Sequence, residues 1–188
     1  MEDVKKLAVI FPGIGYHTDR PLLYYSKKLA SGLGCEIREV PYGNFKTNIK
    51  GSPEKMMEAF YNAMAQTEEI LKDVMFEEYG NILFISKSIG TAIASAYAGK
   101  YNIGVKHILY TPVKETFPFV EHEGIVFHGT SDPWVRTEEV EMACAQKRLD
   151  LFEIEGANHS IETGDVLSDL ENLHAIMKKT EEYMRKSC

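Results

Sequence analysis

Short strand-patterned segments, several of them apolar runs, alternate with helix-patterned segments along all 188 residues of this sequence, and that alternation leaves few ways to fold. The first run, Leu7-Ala8-Val9-Ile10-Phe11, stops at Pro12-Gly13. Further strand-like segments, not all of them unbroken, occupy residues 36–40, 81–85, 106–110, 124–127 and 150–154. A continuous apolar run reads as a strand covered on both faces. Residues 19–30, 52–78, 89–98, 133–147 and 165–185 carry the helical spacing. Ser52-Pro53-Glu54 supplies a cap, a first-turn proline and a first-turn acid, and Gly80 and Gly99 read as stops. Strands alternating with helices imply a three-layer α/β sandwich around a mostly parallel sheet of about six strands.

With no composition break, repeat or low-complexity stretch, residues 1–188 read as one domain. The net charge of -7 argues against a nucleic-acid partner, since phosphate contacts need clustered cations. The basic pairs Lys178-Lys179 and Arg185-Lys186 suit the end of a helix. Cys35, Cys144 and Cys188 form no CxxC pair, so free thiols in a reducing compartment are expected and no metal site is. The five-residue apolar run near the start is too short for a signal-peptide core, and no run approaches the ~20 residues of a membrane span. The expectation is a cytoplasmic, soluble protein with a small-molecule partner, no membrane partner and no cofactor.

In parallel α/β sheets, ligands bind at the carboxyl ends of the strands. The loop after the third strand reads Ser86-Lys87-Ser88-Ile89-Gly90, between a buried strand and an Ala-rich helix. A strand-turn-helix of this kind can expose a hydroxyl above the sheet in a strained conformation, beside the amide donors of the helix. Alone, Ser88 reads equally well as a helix cap. In the loop after the fifth strand, Asp132 precedes Pro133, and by itself it reads as a cap for a helix opening there. After the sixth strand, His159 lies in the polar loop Glu155-Gly156-Ala157-Asn158-His159-Ser160. Together the three supply a nucleophile, an acid that orients an imidazole, and the imidazole itself.

In these loops the chain resembles the α/β-hydrolase superfamily over nearly its whole length. The nucleophile elbow of that family, usually Gly-x-Ser-x-Gly, corresponds to residues 86–90, its acid loop to Gly129-Thr130-Ser131-Asp132, and its histidine loop to residues 156–160. The resemblance implies a catalytic triad of Ser88, Asp132 and His159, and an oxyanion hole from the backbone N–H groups of Ile89 and Ile14, with Gly15 the alternative to Ile14. It further implies a fold lacking the family's first two strands and a lid, and a serine esterase or thioesterase working through an acyl-enzyme. Ser86 stands where the family has glycine, which keeps open a non-catalytic ligand-binding module. An acyltransferase or a peptidase with the same triad also stays open.

Gly15, Tyr16, His17 and Arg20 follow the first strand and are candidates for a substrate pocket. Arg20 reads either as an anchor for a substrate carboxylate or as a solvated residue after Asp19 has capped the next helix. Phe117 and Phe119 read as a pocket wall or as core plugs. Trp134 is expected to pack the acid loop, His128 to be structural, and Lys87 to be solvated or salt-bridged. A nucleotide loop at Gly13-Ile14-Gly15 fails because Thr18 occupies the last glycine position of GxGxxG.

Overall fold

The computed structural model describes residues 4–45, 49, 52–121 and 123–187. The first three residues and Cys188 lie outside the described residues. Six strands form one sheet: β1 (Lys6–Phe11), β2 (Cys35–Glu39), β3 (Asn81–Lys87), β4 (Lys106–Tyr110), β5 (Gly124–Gly129) and β6 (Asp150–Ile154). Their order is β2-β1-β3-β4-β5-β6, and every pair is parallel. The helices are α1 (Pro21–Gly32), α2 (Pro53–Leu71), α3 (Ile89–Tyr101), α4 (Thr137–Lys147) and α5 (Val166–Ser187).

The two-residue period of the strands sorts their side chains between two cores. Ala8, Ile10, Leu83, Ile85, Ile108 and Phe127 face Leu22 and Leu23 of α1 and Ile176 and Met184 of α5. Leu7, Val9, Phe11 and Phe84 face α2 and α3 through Ala59, Ala63, Ile89 and Ile93. Leu109 and Val126 continue that second face under Val140 and Cys144 of α4. Burying one such aliphatic side chain is worth about 1.5–3 kcal/mol, so the sheet is the rigid base on which the loops sit. Among the described residues no helix is long and apolar enough to cross a membrane. Among the described residues between β4 and β5, the only helical element is the three-residue 3₁₀ turn Lys114–Thr116.

Four helix boundaries differ from the sequence reading. α3 runs on through Gly99 to Tyr101 and closes on Asn102, whose φ of 51° makes the left-handed cap. α1 starts at Pro21 with Arg20 at its cap position, and Asp19 instead pairs with Lys27 at 3.4 Å. α2 ends at Leu71, because the chain must turn to bring Val74, Phe76 and Tyr79 against the core before entering β3. α4 opens at Thr137 and not at Pro133, because Asp132 spends its carboxylate elsewhere.

The chain leaves β1 outward to β2 and returns to β3 on the other side, so β1 and β3 flank the topological switch point. The loops after β1 and β3 therefore meet at the carboxyl edge, joined there by those after β4, β5 and β6.

Candidate active site

Ser88 lies between β3 and α3 with φ 56° and ψ −127°, a backbone region that non-glycine residues avoid. That conformation lifts the hydroxyl off the strand while α3 begins directly behind it. The turn needs space, which Gly90 provides: a Cβ there would lie 2.5 Å from the Phe11 carbonyl oxygen and 2.9 Å from the Tyr42 hydroxyl. Ser86, at the usual glycine position, is fully buried and donates its hydroxyl to the Ile108 carbonyl at 3.3 Å. Its side chain is thus absorbed by the neighbouring strand, and the elbow forms.

His159 Nε2 lies 2.8 Å from Ser88 Oγ, and its Nδ1 lies 2.7 Å from Asp132 Oδ2. The Asp132 carboxylate is fully shielded from solvent, and its other oxygen accepts the Trp134 N–H at 2.9 Å. That local bond is an Asx turn, which directs residues 133–136 away from a helix and aims Oδ2 at the imidazole. The indole of Trp134 stacks on the His159 ring, with centroids 5.3 Å apart and planes 29° apart. Trp134 thus packs on the histidine, not only on the acid loop. The histidine loop is itself tied: Asn158 N–H donates to the Glu162 carbonyl at 2.9 Å, and Asn158 Oδ1 accepts the Ser160 N–H at 2.7 Å.

The loop after β1 closes on itself through two bonds between Gly13 and Tyr16, 3.0 and 3.2 Å, with Ile14 and Gly15 at its tip. It lies against the elbow, since a Cβ on Gly13 would sit 3.1 Å from the Ser88 Cβ. Ile89 is the first residue of α3, so its N–H is one of the donors a helix cannot satisfy internally. Tyr16 is half-buried, its hydroxyl accepts the Leu22 N–H at 3.2 Å, and burial pushes its phenol up to about 12. His17 and Arg20 are exposed, and among the described residues neither hydrogen-bonds to Ser88, Asp132 or His159. The structure therefore brings together Ser88, Asp132, His159, Tyr16 and the tip at Ile14, and leaves His17 and Arg20 outside that cluster.

Lys87 departs most from the sequence reading. It is 1% exposed, and its Nζ donates to Thr111 Oγ1 at 2.5 Å and to the His159 carbonyl at 2.7 Å. Burial pulls its amine from 10.5 down to about 7, with the Asp132 and Glu162 carboxylates opposing. His128 accepts or donates through Nε2 to Thr137 Oγ1 at 3.1 Å, while its buried Nδ1 has no partner among the described residues. Burial holds the His128 imidazole below its usual value. Asp165 caps α5 by accepting the Ser168 N–H at 2.9 Å. Phe117 is a core plug beside Val120, whereas exposed Phe119 stacks on Phe60 of α2. Cys35 and Cys144 are buried, and no group of three or more His, Cys, Asp or Glu among the described residues is arranged to hold a metal ion.

No protein-family model matches the chain, and no curated protein matches it by sequence. Solved structures do. Est1E from Butyrivibrio proteoclasticus superposes with a TM-score of 0.71 at 14% identity, covering 98% of this chain and 89% of its own. A lidless α/β serine hydrolase from Xanthomonas campestris gives 0.70 at 11% identity, covering 99% and 85%. The Pyrococcus furiosus esterase Pf2001 gives 0.65 at 11% identity, covering 98% and 84%. These likenesses define the architecture: the chain has the α/β-hydrolase fold.

Proposed function

We propose that this chain is a serine hydrolase that cleaves a carboxylic ester or thioester through an acyl-serine intermediate. The observation that carries the reading is the continuous relay from Asp132 Oδ2 through His159 to the hydroxyl of a strained Ser88. Carboxylate contact at Nδ1 favours the tautomer whose Nε2 is free to accept a proton.

In the first half-reaction Ser88 Oγ attacks the substrate carbonyl carbon and its proton passes to His159 Nε2. The imidazolium is stabilised by Asp132, and the tetrahedral oxyanion by the N–H groups of Ile89 and Ile14. Collapse breaks the carbonyl–leaving-group bond, and His159 returns the proton to the departing alkoxide or thiolate. A water, deprotonated by the same imidazole, then attacks the acyl-serine, and the acid leaves as Ser88 regains its proton. Replacing water by another acceptor would give acyl transfer, and an amide substrate would give peptidase chemistry; product analysis separates these.

The α/β-hydrolase fold supports the reading, as does the presence of esterases among the similar structures. Est1E has been observed with ferulic acid bound, which makes hydroxycinnamate esters a sensible second substrate set. The binding-module alternative rests on Ser86 distorting the elbow; the bond from Ser86 to the Ile108 carbonyl supports the catalytic reading over it. Turnover of p-nitrophenyl acetate tests the proposal. Wild type should hydrolyse it and Ser88→Ala should fall to the uncatalysed rate; equal turnover by both proteins would refute the assignment.

A further inference from the structure

A buried lysine in the strand that delivers the nucleophile needs an explanation. Removing an ammonium from water is costly unless it is well partnered, and folds rarely do it without a purpose. Lys87 closes β3 one residue before Ser88, and its Nζ reaches three other loops. It donates to Thr111 Oγ1 at the end of β4, donates to the His159 carbonyl after β6, and lies 5.0 Å from the centroid of the Tyr16 ring after β1. The Thr111 hydroxyl donates to the same His159 carbonyl at 3.1 Å. Thr111 holds φ 41°, an outlier for a β-branched residue, with its N–H on the Phe127 carbonyl at 2.7 Å. Nζ makes no hydrogen bond to Ser88 Oγ or to the Asp132 carboxylate among the described residues, so it is not itself one of the reacting groups.

We infer that Lys87 is a positioning residue: it clamps the His159 main chain to the ends of β3 and β4, which fixes the imidazole between Asp132 and Ser88, and its positive charge opposes premature protonation of that imidazole. The second half of this inference rests on the hydrolase reading; the first does not. The titratable groups around the amine are Tyr16 from the loop after β1, Asp132 from the loop after β5, and His159 and Glu162 from the loop after β6. His128, at the end of β5, acts on Asp132 and His159 in turn. Tyr16 stays neutral because burial keeps its phenol protonated. With the amine near 7, the clamp and the charge separate: a neutral amine keeps two N–H donors for Thr111 and His159, while the ammonium charge fades above neutrality.

The test follows the His159 ring by NMR of histidine-labelled protein from about pH 5 to 9, with phosphonylation of Ser88 by a fluorophosphonate measured on the same samples. Lys87→Met keeps the length of the side chain and removes both donors and charge. His159 should then titrate about one pH unit higher, because a neighbouring cation has gone. Its Nδ1 proton resonance should broaden as the loop loosens, and phosphonylation should slow by about 10- to 100-fold. Thr111→Val keeps the shape and the charge but cuts the hydroxyl bridge. It should slow phosphonylation about threefold or more and leave the His159 titration in place.

Unchanged His159 titration and unchanged phosphonylation in folded Lys87→Met would overturn the inference. Should that variant fail to fold, wild-type rate and line width in Thr111→Val would overturn it instead. If the fluorophosphonate does not label wild type yet the His159 Nδ1 proton resonance still broadens in Lys87→Met, the clamp stands and the hydrolase reading falls.

Discussion

Replacing Gly90 by alanine adds one methyl group where the first turn of α3 presses on the end of β1. The new carbon would lie 2.5 Å from the Phe11 carbonyl oxygen and 2.9 Å from the Tyr42 hydroxyl, and closer still to the Pro12 carbonyl oxygen. Ordinary contact begins near 3.4 Å, so the backbone of the β1 loop must retreat by about 1 Å. Tyr42 donates its hydroxyl to the Pro12 carbonyl, so the obstacle is a bonded pair and not a free side-chain tip. Overpacking of this kind costs about 1–3 kcal/mol. At roughly 2–4 °C per kcal/mol for a chain of this size, Tm should fall by about 2–12 °C. The same loop carries Ile14, and a displacement of about 1 Å in a reacting constellation costs about 100-fold in rate. The loss should appear in kcat, because Ile14 N–H would engage the oxyanion more strongly than the ground-state carbonyl. Calorimetry and p-nitrophenyl acetate kinetics on Gly90→Ala read both effects. A Tm within about 1 °C of wild type together with kcat within about threefold would refute the packing argument.

Two further predictions follow from the same geometry. Asp132→Asn keeps the shape of a fully shielded side chain but favours the wrong His159 tautomer, so kcat/KM should fall by about 10³- to 10⁴-fold; a loss under tenfold would contradict the relay. For Lys87, the amine is held at about 7 in the folded protein against 10.5 when exposed, so between those values the unfolded chain binds more protons and stability rises with pH. At about 1.4 kcal/mol per pH unit, that gap is worth at most roughly 5 kcal/mol. Urea unfolding should show wild type gaining on Lys87→Met as pH rises from about 7 to 10, and a flat difference would count against a buried, depressed amine.

The central strands were legible because strands covered on both faces carry near-continuous apolar runs, whereas the edge strands β2 (CEIRE) and β6 (DLFEI) mix charged and apolar residues and were read from their place between helical segments. The order of Ser88, Asp132 and His159 was legible because parallel strands send their carboxyl ends to one edge. Position alone then brought loops together that lie 71 residues apart in sequence. The role of Pro133 was not legible: a local helix-start rule gave way to the Asx turn by which Asp132 bonds Trp134 and reaches His159. Lys87 was missed because charge reads as surface. The signal available was its place at the end of a central strand, with β1 and β4 on either side and helices over both faces, where a side chain has little solvent to reach. Trp134 was read as packing for its own loop because nothing local announces a stacking partner 25 residues downstream.

The most direct test of the account is the intact mass of the protein after treatment with a fluorophosphonate, wild type against Ser88→Ala. The account predicts a single adduct on wild type, mapped to Ser88, and none on the variant. An unlabelled wild type, or a variant labelled to the same extent, would contradict the assignment of Ser88 as an activated nucleophile.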